Sequence, residues 1–477
     1  MNFWKTLRLG GAALVAALTL SIAAPDLAFA QEAAAPPAAE AVAAEAAPAV
    51  EVVEEVVEEA AAEESTIDSG DTAWMLVSTV LVVLMILPGL ALFYGGLAKS
   101  KNVLSVIMQV STVAVIGFVG WALWGFSLTF TEGPMNAFVG GFDKFFLAGI
   151  GVNDPSAVLS NIPEYVFVSF QMTFAAITAA LAVGAFAERV KFFPIVIFSI
   201  LWPLLSYYPL AHMVWGGGLL AADGALDFAG GTVVHINAGV AGLVGAIFVG
   251  HRLGYKKEPL PPHSLVLTYI GAALLWVGWF GFNAGSAGAA NGLAGLATIN
   301  TLLATAAAAF SWILTEWITR GKPSGLGFAS GVIAGLVAIT PAAGFVGPLG
   351  ALVLGLIASP VCVVFCAGIK KALNYDDAYD VFGIHGVAGI IGAIGTGILT
   401  DPALGGTAGW GLEDGATFDM VGQTLIQVKA VGVSIVWVAV ATAITFAVMS
   451  LFGLKVKKDI EEEGLDLAEH GEAAYHS

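Results

Sequence analysis

The sequence predicts an all-α polytopic membrane protein of eleven transmembrane helices, ten in a 5+5 inverted repeat and the eleventh added at the end. Three observations carry that prediction. Of 477 residues, 58% are hydrophobic and only 11% charged, far below the roughly 25% charged residues of soluble domains. The uncharged stretches are long enough to cross about 30 Å of hydrocarbon. A motif centred on histidine occurs twice, 150 residues apart. The composition excludes a cytosolic enzyme, and 36 acidic against 18 basic residues exclude a nucleic-acid partner, which would need clustered Lys and Arg.

In chain order, Lys5 and Arg8 precede an apolar run from Leu9 to Ala24, and Ala28-Phe29-Ala30 supplies a small-x-small site. Residues 1–30 are therefore expected to be a cleaved signal peptide. Residues 31–71 are rich in Ala, Pro, Glu and Val, with twelve acids and no Lys or Arg. They have little to bury and strong self-repulsion, as expected of an exported spacer. Uncharged stretches then run over 72–98, 102–131, 165–187, 192–222, 228–251, 381–400 and 430–454. Two further stretches exceed one span: 259–315 breaks at Asn283-Ala284-Gly285-Ser286-Ala287-Gly288, and 323–369 breaks at Thr340-Pro341-Ala342-Ala343-Gly344. The membrane domain is bounded as 72–458 and a cytoplasmic tail as 459–477.

Loop charges orient these helices. The loops after helices 1, 3, 5, 7, 9 and 11 hold fourteen Lys and Arg residues, and the opposite side holds only Lys144 and Lys429. The positive-inside rule places the C-terminus in the cytoplasm and, with an odd helix count, the mature N-terminus outside. The net charge of −18 lies in the spacer and the tail, because residues 72–458 contain sixteen residues of each sign. Cys362 and Cys366, the two cysteines, are four apart in one apolar segment and read as packing residues on one helix face.

The repeated motif is H-x-x-A-G-x-x-G-x-x-G, read from His235 through Ala238, Gly239, Gly242 and Gly245, and again from His385 through Ala388, Gly389, Gly392 and Gly395. Small residues at this spacing let helix backbones approach closely. The histidines fall in helices 5 and 10, so each repeat holds five helices. An odd number forces the halves into opposite orientations, with a site expected at their interface. Histidine inside a membrane helix is costly and normally faces the interior or a pathway. Neutral imidazole can both donate and accept there, or relay a proton. A metal or haem centre lacks the further ligands it would need, so no cofactor is expected.

Four blocks make the sequence recognisable: Pro88-Gly89-Leu90-Ala91-Leu92-Phe93-Tyr94-Gly95-Gly96, His212-Met213-Val214-Trp215-Gly216-Gly217-Gly218, the run from Ala225 to His235, and Trp279-Phe280-Gly281-Phe282-Asn283-Ala284-Gly285-Ser286. Together with Asp380-Val381-Phe382-Gly383-Ile384-His385-Gly386, they resemble the Amt/Mep/Rh ammonium transporter family, bacterial Amt type. The resemblance runs from about residue 70 to the C-terminus. It implies a homotrimer in the bacterial inner membrane, with a pore in each subunit that carries ammonium or ammonia. It also implies an outer recruitment site at Phe170, Trp215 and Ser286, a gate of Phe174 and Phe282, pore histidines His235 and His385, and a structural acid at Asp227. The tail resembles the segment on which bacterial members dock a trimeric PII signal protein; composition alone makes it a solvated tail.

The residue types suit such a substrate. Aromatic faces attract a cation, each contact giving on the order of 1 kcal/mol when desolvated, and a hydroxyl can accept one of its hydrogen bonds. Beyond the gate an unpaired cation in hydrocarbon is very unfavourable, which favours deprotonation and passage of ammonia past neutral imidazoles. Asp227, at the start of helix 5, can cap free N–H groups. An ammonium sensor built on the same fold is the alternative; its usual mark is an appended signalling domain, and nineteen residues follow Lys458.

Overall fold

Uncharged stretches become helices wherever a computed structural model describes the chain, over residues 66–411 and 417–475. The expected signal peptide and all but the last six residues of the spacer lie outside the described residues. Among the described residues ten helices are long and apolar enough to span a membrane. We label them α1 (Ser69–Leu97), α2 (Ser100–Phe130), α3 (Glu164–Phe186), α4 (Phe192–Ala222), α5 (Gly231–Val249), α6 (Leu265–Gly285) and α7 (Gly292–Arg320). After the shorter α8 (Gly325–Ile339) come α9 (Pro348–Leu373), α10 (Phe382–Leu399) and α11 (Met420–Ser450).

The expected count of eleven is thus met by ten full spans and α8, which has fifteen residues. The turn that ends it covers the anticipated break at Thr340 to Gly344. α8 can be short because every residue from Ala329 to Ile339 is buried against protein rather than lipid. Its repeat counterpart α3 is likewise buried on all faces from Thr173 to Phe186. Helices that are apolar all round belong in the middle of such a bundle.

Helix ends depart from the uncharged stretches because a partnered charge does not end a helix. α11 starts at Met420, ten residues before the expected 430, and carries Lys429 within it, paired to Asp223 at 2.7 Å. α7 runs on past residue 315 because Glu316 accepts from Ser324 N and Oγ at 2.8 Å and pairs with Arg320. α1 begins at Ser69, with Asp68 Oδ1 accepting from Asp71 N at 2.8 Å as its N-cap.

α5 and α10 cross at their small residues. A Cβ on Gly239 would overlap the N and Cα of Gly386, while one on Gly389 would lie 3.1 Å from Gly231 O and 3.1 Å from Ile236. Adding 150 to the first number and subtracting it from the second turns the first contact, 239 with 386, into the second, 389 with 236. That is the signature of a two-fold relation between the halves. His235 and His385 exchange with each other under the same operation, so they meet on the pseudo-axis.

The tail is not a free solvated segment over its described part. Leu465, Asp466 and Glu461 are at most 4% exposed. Asp466 accepts from Leu104 N and Ser105 N at 3.1 and 2.8 Å, capping α2, and Glu461 accepts from Leu253 N at 2.6 Å. Acidic composition reads as solvation, but these acids supply acceptors for orphan N–H groups at helix starts and loops.

Candidate functional site

Each repeat helix starts on an acid. Asp227 accepts from Gly230, Gly231, Thr232 and Val233 N at 2.6 to 3.0 Å, covering the four orphan donors of α5. Asp377 accepts from Val381 and Phe382 N at 3.0 and 2.8 Å at the start of α10. It stands 150 residues after Asp227, so the offset already visible in the histidines could have found it. The acids mark opposite ends of the bundle, and the histidines sit between them on matching π-helical turns, Gly231–Ile236 and Phe382–Gly386. Such turns concentrate at functional sites.

At the Asp227 end a cavity of about 240 Å³ is lined by Phe170, Phe174, Trp215, Asp227 and Ser286, together with Phe228 and Trp410, which sequence reasoning missed. Trp215 Nε1 donates to Asp227 O at 2.9 Å, fixing the indole at the rim. Ser286 Oγ donates to Phe282 O at 2.8 Å, four residues back. Its lone pairs therefore remain available to a donor in the cavity. The C-terminus of α6 ends here at Gly285, and the unpaired carbonyls of a helix end favour a cation.

The floor of the cavity is closed. Phe170 packs edge-on to Phe174 at 4.9 Å, and Phe174 stacks on Phe282 at 4.1 Å with 10° between planes. Neither Phe174 nor Phe282 is exposed. Below them Phe282 lies 6.0 Å from the His235 ring, and His235 Nδ1 is 3.3 Å from His385 Nδ1. Of two neutral imidazoles in contact, one Nδ1 carries hydrogen and donates while the other accepts, so the pair holds opposite tautomers. His235 Nε2 is buried with no hydrogen-bond partner among the described residues.

Trp279, quoted in a sequence block but given no role, stacks on His235 at 5.2 Å and 19°, and its Nε1 donates to Thr340 Oγ1 at 2.9 Å. Its spacing to Phe282 and Ser286, three and seven residues, puts all three on one face of α6. Beyond the histidines a second cavity of about 310 Å³ opens at the Asp377 end, lined by Phe93, Ile384, Tyr379, Asp380, Lys370 and Arg252. The structure thus brings all eight residues singled out from sequence into one column of contacts, from the lining of the first cavity through Phe174 and Phe282 to the histidine pair. His212, left without a role, is buried away from that column between Thr129 O and Asn136 O at 2.8 and 2.7 Å.

Residues 73–475 match the model of the Ammonium Transporter Family. An ammonium transporter of Aquifex aeolicus (strain VF5) is 48% identical over 421 residues, covering 87% of this chain and 96% of its own length. One from Bacillus subtilis (strain 168) is 47% identical over 408 residues, covering 85% and 98%. Among solved structures, Saccharomyces cerevisiae Mep2 superposes with a TM-score of 0.75 at 32% identity, over 83% of this chain and 89% of its own. A protein described as a Sensor Amt Protein gives 0.76 at 29% identity, over 84% and 98%. With its model matched over most of the chain and relatives this similar along nearly their whole length, the chain belongs to the Ammonium Transporter Family.

Proposed function

We propose that this protein carries ammonium into the cell, taking it at the Asp227 end and passing ammonia, or ammonia and a proton, along the histidine column to the Asp377 end. The observation that supports this most is the continuous file of cavity, Phe174 and Phe282, His235, His385 and second cavity. Phe170, Trp215 and Ser286 hold the cation partly dehydrated, with two aromatic faces and one hydroxyl acceptor. Phe174 and Phe282 form a gate that shuts out water and other hydrated ions. The histidine pair then offers one imidazole nitrogen that donates and one that accepts, which suits a small neutral solute with both lone pair and N–H groups. Asp227 holds the start of α5 and does not itself bind the substrate.

The same reading places the chain in the inner membrane as a homotrimer, with the Asp227 end outside and the tail in the cytoplasm, where a trimeric PII signal protein docks. Residues 1–30 are removed on export, and 31–71 remain outside as a spacer before the membrane domain, 72–458. Purified protein in liposomes tests the transport step. The wild type is expected to take up labelled methylammonium with saturation, and His235→Asp and His385→Asp to change or abolish that flux. Unaltered flux in both variants would remove the histidine column from the pathway.

A further inference from the structure

The turn after α10 contributes one residue, Trp410, to the lining of the Asp227-end cavity. This turn is held in an unusual shape. Thr407 N donates to Phe345 O at 2.9 Å, Ala408 N to Thr400 O at 2.8 Å, and Gly409 N to Thr400 Oγ1 at 3.1 Å. Thr400 Oγ1 in turn donates to Phe345 O at 3.1 Å. Ala408 sits at φ 59° between Gly405 and Gly409 at 83° and 71°. A left-handed conformation at a residue with a Cβ is strain, and it persists where the surroundings impose it, often at ligand sites.

What this turn presents is Trp410. Its ring meets Phe345 edge-on at 4.8 Å and 89°, and stacks beside Phe228 at 6.3 Å and 28°. Phe228 follows Asp227 directly and is 4% exposed, so the indole is seated on a buried ring, yet Trp410 itself stays 71% exposed. A tryptophan of the membrane-interface belt would point to lipid. Trp410 instead lines the same cavity as Phe170, Trp215 and Ser286.

We propose that Trp410 is a specificity-determining residue of this cavity, its indole face attracting an ammonium or methylammonium cation as it passes from water toward Trp215. The proposal rests on the cavity being the cation-recruiting mouth. An indole is the strongest aromatic face for a cation, and at a partly exposed site its effect is a few-fold in affinity. Removing it weakens capture and leaves the column below untouched.

The test is labelled methylammonium uptake by the full chain in liposomes, comparing Trp410→Ala, Trp410→Leu and Trp410→Phe. The half-saturation concentration is expected to rise by about three- to five-fold in Trp410→Ala and Trp410→Leu, with the maximal rate within about two-fold of wild type. Trp410→Phe keeps an aromatic face and stays within about two-fold throughout. A wild-type half-saturation value in Trp410→Leu would show that bulk and not the aromatic face matters, and would overturn the proposal. So would an unchanged Trp410→Ala, or a fall confined to the maximal rate in all three. Wild-type protein without saturable uptake would overturn the transport reading and this proposal with it.

Discussion

Two aspartates with the same position in the two repeats carry unequal burdens. Asp227 satisfies four backbone N–H groups and Asp377 two. A buried donor left without a partner costs about 1–3 kcal/mol. Asp227→Ala should therefore lower stability by several kcal/mol and by clearly more than Asp377→Ala, while Asp227→Asn, which keeps one oxygen, falls between wild type and Asp227→Ala. Thermal unfolding in detergent, followed by loss of helical circular dichroism, checks the order; equal shifts for the two alanine variants would mean that capping does not set the cost. At this scale the sequence is a good guide to chemistry and a poor guide to surroundings. Asp227 at the start of helix 5 announces a cap, but nothing local tells that Trp279 stacks on His235, because the two are 44 positions apart and meet only when α5 and α6 pack.

At the scale of the helix, the glycine spacing of the repeated motif carries a geometric demand. The crossing of α5 and α10 leaves no room for a methyl group at Gly239, since the obstacle is the backbone of Gly386, which no rotamer change can move. Gly295, at the end of the first turn of α7, has nothing within 4 Å of its Cβ direction. The same substitution should then have opposite signs: Gly239→Ala destabilises and separates the two histidines, whereas Gly295→Ala stabilises α7 by about 0.5–1 kcal/mol. Melting midpoints of both variants settle it, and a neutral Gly239→Ala would contradict the close crossing. Spans, breaks and repeat were legible because hydrophobic length and small-residue spacing are local properties. Helix ends were not, because Lys429 is matched by Asp223 from a distant loop, and Glu316 by Arg320 and Ser324, pairings that an uncharged-stretch reading does not consider. The π-helical turns under both histidines have no sequence mark of their own.

For the whole molecule, the question is what keeps two halves of opposite orientation together at the end where the second cavity opens. Arg189, between α3 and α4, donates to Gly250 O at 2.8 Å, Ala187 O at 2.9 Å and Asp376 O at 2.5 Å. Arg252, between α5 and α6, bonds Asp376 through Nε at 3.0 Å and Nη2 at 2.8 Å and reaches Glu188 at 3.2 Å. Three loops, two from the first half or its junction and one from the second, thus close on a single buried cluster. Burial alone would raise the Asp376 carboxyl, but the two-pronged Arg252 guanidinium outweighs it and holds the group at about 2. Because the folded value lies below the unfolded value of about 3.9, this pair adds stability above pH 4 that disappears as pH falls through 2. The shift corresponds to about 2–3 kcal/mol. Asp376→Asn removes the titrating group and leaves Arg252 short of one partner. The gap in melting temperature between wild type and Asp376→Asn should accordingly be full near pH 6, narrow below pH 4 and approach zero toward pH 2. A gap that stayed constant from pH 6 to pH 2.5 would mean that the cluster acts by shape rather than charge.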